Sequence, residues 1–481
     1  MSVKRGVLIS FGQSGGSFAL QFAANIVLSR LLLPEEIGVF SVSVALLSIL
    51  QMLRDFGVGQ YLVQEKDLTD AKIRTVFGTS LIIGWLLAAA IFFSRFAVAD
   101  FYNKPLIADI MALLSISFLI IPFGHPASSL MRRERLYGRL ALIGLSSTFV
   151  SITTSIIAAI MGKGAISLAY GSIAGMAFAT VILLSFRPQH LFLRPSLSEW
   201  RQVWRFGVTV SGTEAIIVLG EMSPDLVIGY MLGFAPVALY SRGLGLAKLF
   251  DNFFGNTPRM VMGAEFGTMH RSGERLTDLV IKATKITTAI GWPFLIFLAF
   301  KVKAIIWIFY GPNWFGAVPI TQVLCLAAAV PLVITCATAL YEGTGAVRLK
   351  LRNELWLQIF HVSLVVLGAM HSLLAVAWMR VFYALLMVSF HMSVLHKYAH
   401  IGLFYLLKNL LASLSIAVLF AIVLTGLTAL EPAANTPWEA AAIIVGEAAI
   451  MGVVYLLLLA LHRHILWDQI KDVLRNGKKF I

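Results

Sequence analysis

The chain has 481 residues, of which 59% are hydrophobic and 13% charged, with a mean hydropathy of +0.85; these values exclude a soluble globular domain, and lipid must be the solvent for most of it. Its 38 Lys and Arg against 24 Asp and Glu leave a formal charge of +14, but the basic residues fall between long apolar runs and form no single patch, so no nucleic acid is expected as a partner. Cys325 and Cys336 lie in apolar sequence without His or Cys at ligand spacing, which predicts small core residues, no disulfide framework and no metal site.

In chain order, Lys4 and Arg5 precede an apolar run from Val7 to Ser29 without an A-x-A cleavage pattern, so it is read as a retained first helix. A span needs about 20 residues to cross roughly 30 Å of hydrocarbon. On that criterion six helices are predicted near 7–29, 37–61, 76–98, 106–130, 140–161 and 164–186. The segment 188–205 then places Leu197, Trp200 and Trp204 at helical spacing with Arg201 and Arg205 beside them, as in a helix lying on a membrane surface. A second set follows near 206–232, 236–263, 277–300, 315–341, 354–370 and 373–396, and a last pair near 401–429 and 438–461. The tail LWDQIKDVLRNGKKF is apolar on one face and basic on the other, which predicts an interfacial helix on an anionic leaflet. The expected architecture is an all-α membrane protein of about 14 transmembrane helices. Two parallel six-helix lobes span 1–187 and 206–397, joined by the interfacial linker 188–205; helices 13 and 14 occupy 398–462, and a cytoplasmic amphipathic tail occupies 463–481.

Distributing Lys and Arg over alternate sides of these windows puts twenty-five on one side and seven on the other, which predicts that both termini are cytoplasmic. An internal repeat emerges at an offset of 200 residues: Gly12 matches Gly212, Val27 Val227, Leu32 Leu232 and Ser41 Ser241. Both members of that pair start on the cytoplasmic side, so the repeat would be parallel.

The stretch SRLLLPEEIGVFSVSVALLSILQMLRDFGVGQYLVQ, Ser29 to Gln64, with Pro34 and Gly38 as Pro-x-x-x-Gly and Asp55, Phe56 and Gly57 after it, resembles the signature of Wzx-like polysaccharide flippases, the polysaccharide-transport branch of the MOP superfamily. The resemblance implies a two-lobed helical transporter, not an enzyme. It would reside in the bacterial inner membrane and move undecaprenyl-diphosphate-linked oligosaccharide from the cytoplasmic to the periplasmic face by alternating access, for exopolysaccharide or lipopolysaccharide biosynthesis. Its partners would be the lipid-linked oligosaccharide and membrane lipids, with polysaccharide polymerase and chain-length machinery as candidates.

A charge within a span costs about 2.5–3.5 kcal/mol on insertion scales and usually faces a cavity or a partner. The candidates for the diphosphate are Arg54, Arg242, Lys248, Lys282, Lys285 and Arg380, since Arg can bind phosphate bidentately and Lys offers a compact charge. The ordinary readings stay open: Arg54 pairing with Asp55, Lys248 with Asp251, and Lys282 and Lys285 obeying the positive-inside bias. Asp55, Glu214, Glu221, Asp225 and Asp251 are the acidic candidates; Glu214, Glu221 and Asp225 fall along one helix face and could take a coupling ion, H+ or Na+, or pair with Arg242 or Lys248. Pro224 and Gly220 permit a local break there. No other cofactor is expected, since GQSGGS near Gly12 lacks the Lys of a phosphate loop. His391, His396, His400, His462 and His464 are expected to be surface or interfacial, and Trp307, Tyr310 and Trp314 to form a periplasmic aromatic belt. The competing functions are an ion-coupled multidrug or metabolite exporter of the same superfamily and, from another class, a membrane glycan polymerase or acyltransferase.

Overall fold

The computed structural model describes the backbone of residues 3–55, 58–186, 194–252 and 256–476. Among these residues there is no strand, and the helices are α1 (Val3–Leu31), α2 (Pro34–Asp55), α3 (Val58–Gln64), α4 (Asp70–Phe101), α5 (Leu106–Arg133), α6 (Tyr137–Ile160), α7 (Ile166–Phe186), α8 (Trp200–Met231), α9 (Phe234–Ala247), α10 (Asn256–Ser272), α11 (Thr277–Phe309), α12 (Ala317–Ala329), α13 (Ala337–Gly343), α14 (Val347–Ala369), α15 (Leu373–Ala399), α16 (Leu403–Ala429), α17 (Pro437–Leu461) and α18 (Ile465–Asn476). Ten stretches of the described residues are long and apolar enough to cross a membrane. Of the remaining predicted windows, α14 falls outside those ten because Arg348, Lys350, Arg352 and Glu354 interrupt its apolar run.

Two windows are broken where the sequence suggested continuous helices, while in the second the two residues between α2 and α3, 56 and 57, lie outside the described residues. The eighth is interrupted after α9, which ends at Ala247. The tenth is α12 and α13 joined by a 3-10 turn at Val330–Ile334, since Pro331 has no N–H to continue the ladder. Trp292 Nε1 donates to the Ala329 carbonyl at that break (3.1 Å). Other prolines are compensated likewise. Pro293 in α11 deprives the Ala289 carbonyl of its helical donor, and Tyr455 Oη donates to it (3.1 Å); Pro224 in α8 does the same to Gly220, whose carbonyl accepts from Ser223 Oγ (2.8 Å). The α1–α2 and α8–α9 turns keep the offset of 200: α1 ends at Leu31 and α8 at Met231, while α2 starts at Pro34 and α9 at Phe234.

Packing separates the chain into two compact units, Met1–Ala238 and Leu239–Ile481. In the first, α6 packs on α7, α4 on α5, α1 on α6, and α8 on α2. The α6–α7 seam is built from small residues: a Cβ on Gly171 would clash with Ser155 Oγ, and one on Gly175 would come 2.7 Å from the Ser151 Cβ. Within the described part of the expected surface helix of 188–205, residues 194–199 are not helical and Trp200 starts the first turn of α8; residues 187–193 lie outside the described residues. In the second unit α11 is the central element, contacting α12, α16, α17 and α18, while α14 pairs with α15. The tail helix α18 does not offer its apolar side to lipid alone: buried Leu466, with Trp467 and Ile470, packs into a cluster with Ala289, Ile416 and Leu459.

Candidate functional site

In the first unit, the start of α2 explains the Pro34–Gly38 signature. Pro34 occupies the first helical position, where no N–H is required. Glu36 reaches back to accept from the Leu33 N–H (2.8 Å), the reciprocal arm of a capping box. Glu35 pairs with Lys104 Nζ (2.6 Å) from the α4–α5 turn. A Cβ on Gly38 would meet the backbone of Phe234, the first residue of α9. Tyr102 Oη donates to the Leu226 carbonyl in α8 (3.3 Å), and Phe101 stacks on Tyr230 with centroids 4.6 Å apart. This end of the unit is thus a tight junction of α2, the α4–α5 turn and the α8–α9 turn.

At the other end of α2, the Arg54 guanidinium lies 5.3 Å over the Phe118 ring, beside a narrow gap lined by Ser80, Ile121, Pro122 and His125. Ser80 Oγ is buried there without a hydrogen-bond partner. Asp55 ends α2, but its side chain, together with Phe56 and Gly57, lies outside what is described. Arg133, counted at sequence level only as a cytoplasmic charge, donates to the carbonyls of Leu62 (3.0 Å), Val63 (3.4 Å), Glu65 and Lys66 (3.4 Å). It satisfies carbonyls in the last turn of α3, Leu62 and Val63, and the two that follow the helix, Glu65 and Lys66. On α8, Glu221 is exposed and Asp225 half-buried, while the Glu214 side chain lies outside the described residues.

The other basic candidates belong to the second unit. Arg242 on α9 is clasped by two rings, with its guanidinium carbon 5.8 Å from the Tyr310 centroid and 5.6 Å from that of Trp314. Both rings are buried, and Trp314 wholly so; these two residues are therefore a cation-holding wall and not part of an aromatic belt. Lys248 is exposed just after α9, and Asp251 is half-buried. Lys282 is exposed on α11 and Lys285 half-buried. Arg380 on α15 donates from Nη1 to His361 Nε2 (2.7 Å). Because Arg can only donate, that contact requires an unprotonated Nε2 on His361.

Two buried networks escaped the sequence reading. Lys301 on α11, 3% exposed, pairs with Glu431 Oε2 (2.6 Å) beyond α16 and with Glu447 Oε2 (2.5 Å) on α17. His391, expected at the surface, is instead buried: its Nδ1 is 3.1 Å from Tyr341 Oη, and Nε2 lies 3.9 Å from Glu354 Oε1. Asn353 Nδ2 completes this tie by donating to Tyr341 Oη (2.8 Å) and Ser393 Oγ (2.9 Å). The only signal for either was the rarity of charge inside otherwise apolar runs.

His464 also departs from the surface expectation. It is buried between α17 and α18, its Nε2 3.2 Å from Ser413 Oγ on α16, and its Nδ1 accepts from the Leu466 N–H (3.2 Å). Burial first, then the nearby charges of Lys285 and His462, hold the imidazole down at about 4, against 6.5 ordinarily. Above pH 6.5 the ring is neutral whether the tail is docked or not. Between 6.5 and about 4 only the undocked tail takes the proton, so docking weakens as pH falls. Hydrogen exchange in α18, corrected for its intrinsic pH dependence, should rise severalfold from pH 7.5 to 5 and stay flat in His464→Gln. Equal slopes in both proteins would remove His464 as the cause.

A family model described as polysaccharide biosynthesis protein matches residues 27–319, a range holding the α2 signature and all but one of the basic candidates. The chain is 21% identical over 347 residues to the lipopolysaccharide biosynthesis protein WzxC of Escherichia coli (strain K12), covering 71% of this chain and 70% of that protein. It is 24% identical over 353 residues to the succinoglycan biosynthesis transport protein ExoT of Rhizobium meliloti (strain 1021), covering 72% and 70%. Among solved structures, the inward-closed lipid II flippase MurJ matches with a TM-score of 0.76 at 14% identity, over 96% of this chain and 100% of that one. An inward-facing multidrug-resistance MATE transporter of the MOP superfamily matches at 0.62 and 15% identity, over 79% and 94%. The fold is that of these helical membrane transporters, and the chain belongs to the polysaccharide biosynthesis protein family.

Proposed function

We propose that this protein is a flippase that carries an undecaprenyl-diphosphate-linked oligosaccharide from the cytoplasmic to the periplasmic leaflet of a bacterial inner membrane by alternating access. The observation that carries this reading is the family match across 27–319, reinforced by relatives named for lipopolysaccharide biosynthesis and succinoglycan transport. The role is transport and not catalysis. Fourteen spans, in two lobes of six plus a terminal pair, accommodate the ten apolar stretches and the four further windows of the sequence, and the Lys and Arg bias supports cytoplasmic termini.

In this mechanism a diphosphate needs basic groups in a hydrated path. Arg54, Arg242, Lys248, Lys282, Lys285 and Arg380 are assigned that role, and Asp55, Glu214, Glu221, Asp225 and Asp251 that of holding the coupling ion, H+ or Na+. Depletion of the protein in its host should build up the glycan-bearing lipid, measured by lipid extraction and mass spectrometry; an unchanged lipid pool would instead support the small-molecule exporter. Loss of one charge-assisted contact is worth about 1.5–3 kcal/mol, so Arg54→Ala or Arg242→Ala should cut export tenfold or more with normal membrane insertion. Full export in both would remove them from the path.

A further inference from the structure

Residues 194–204, the end of the α7–α8 connection and the first turn of α8, are held in one orientation. The Ser196 N–H donates to the Arg74 carbonyl (3.2 Å), Arg74 Nε donates to the Arg194 carbonyl (2.9 Å), and the Glu199 N–H donates to Thr75 Oγ1 (3.5 Å). The segment lies so close to α4 that a Cβ on Gly78 would clash with the Ser196 carbonyl. The first turn of α8 continues this arrangement: Val203 points inward and is wholly buried with Tyr61, Leu62 and Val76. The outward face then holds Leu197, Trp200 and Trp204, at 47, 48 and 47% exposure. Arg194 and Arg201 are exposed on the same segment, and the Arg201 guanidinium lies 6.0 Å from the Trp200 ring.

The depth of this face identifies its surroundings. Its anchors on α4 are residues 74–78, and at a rise of about 1.5 Å per residue they lie roughly 6–12 Å from the end of that span. That is the level of the headgroup and acyl boundary, where a tryptophan ring is at home and an arginine finds phosphate groups. We propose that this strap is a docking surface for anionic phospholipid, with Trp200 and Trp204 inserted at the acyl boundary and Arg194 and Arg201 holding the phosphate. Lipid charge then sets how firmly the first turn of α8 is held against α4. Binding here does not depend on the transported substrate, so it stands or falls separately from the flippase reading.

The test is tryptophan fluorescence of the purified full chain in nanodiscs containing brominated phosphatidylglycerol or brominated phosphatidylcholine, with Trp200→Phe/Trp204→Phe subtracted to isolate the strap. A lysine or arginine near an anionic surface contributes about fivefold in affinity. Phosphatidylglycerol should therefore reach half-quenching at a mole fraction at least fivefold lower than phosphatidylcholine. Arg194→Gln/Arg201→Gln should abolish that preference without altering the circular dichroism spectrum, and Arg201→Lys should keep it. Equal quenching by the two lipids, quenching by neither because a protein covers the face, or a preference that survives the double glutamine variant would each overturn the proposal.

Discussion

Alanine in place of Gly38 is expected to cost about 3 kcal/mol or more, the upper part of the range for overpacking, and to abolish export. The added Cβ would be placed 1.8 Å from the Phe234 carbonyl oxygen and 2.5 Å from its carbon. These are main-chain atoms, so no side-chain rotation can relieve the clash. Translation of α2 is no escape, because one turn later Val42 is already against Gly229 of α8. Tilting α8 away would break the Tyr102–Leu226 hydrogen bond and the Phe101–Tyr230 stack. Gly12→Ala is the control, since a Cβ there meets nothing within 4 Å, and helix propensity alone would make it neutral or slightly stabilising. Thermal unfolding in detergent, followed by tryptophan emission, should show a loss of roughly 5 °C or more for Gly38→Ala and none for Gly12→Ala. An unshifted midpoint with full export in Gly38→Ala would refute the close-approach explanation of the signature.

That glycine shows how far the sequence could be read. The Pro34–Gly38 pattern marked the place, and the 200-residue offset matched α2 to α9, yet the reason for Gly38 is a carbonyl in the α8–α9 turn that no local pattern names. Helices were legible because apolar length is a property of one segment. Contacts were not, because lipid is as apolar as the protein interior and periodicity does not distinguish the two faces of a membrane helix. Trp314 and His464 were read as surface residues for that reason, and both are buried. Arg133 was read as a topology signal, although its geometry makes it a cap for α3. Charge within a span signals that a partner exists, but the partner of Lys301 lies well over a hundred residues away.

Lys301→Met is accordingly expected to destabilise the second unit by about 3–5 kcal/mol, the cost of leaving buried charge uncompensated. The ammonium is the cation between Glu431 and Glu447; without it, one nearly buried carboxylate on α17 faces a second at the end of α16. The apolar layer below, Phe420, Leu424 and Met451 with Ile296 and Phe297, still holds the three helices, and Tyr455 still bonds the Ala289 carbonyl. The loss should therefore be local at first, with proteolysis between 430 and 437 preceding global unfolding. Removing the acids as well reverses the sign of the argument, because a buried ion cluster replaced by neutral groups is often neutral or stabilising. Lys301→Met combined with Glu431→Gln and Glu447→Leu should thus recover most of the lost stability, while Lys301→Met alone should be cleaved at least tenfold faster in that loop. Equal cleavage of the single variant and the natural chain would show that apolar packing alone anchors α16 and α17, and a triple variant no better than the single would show that the carboxylates were not the cause.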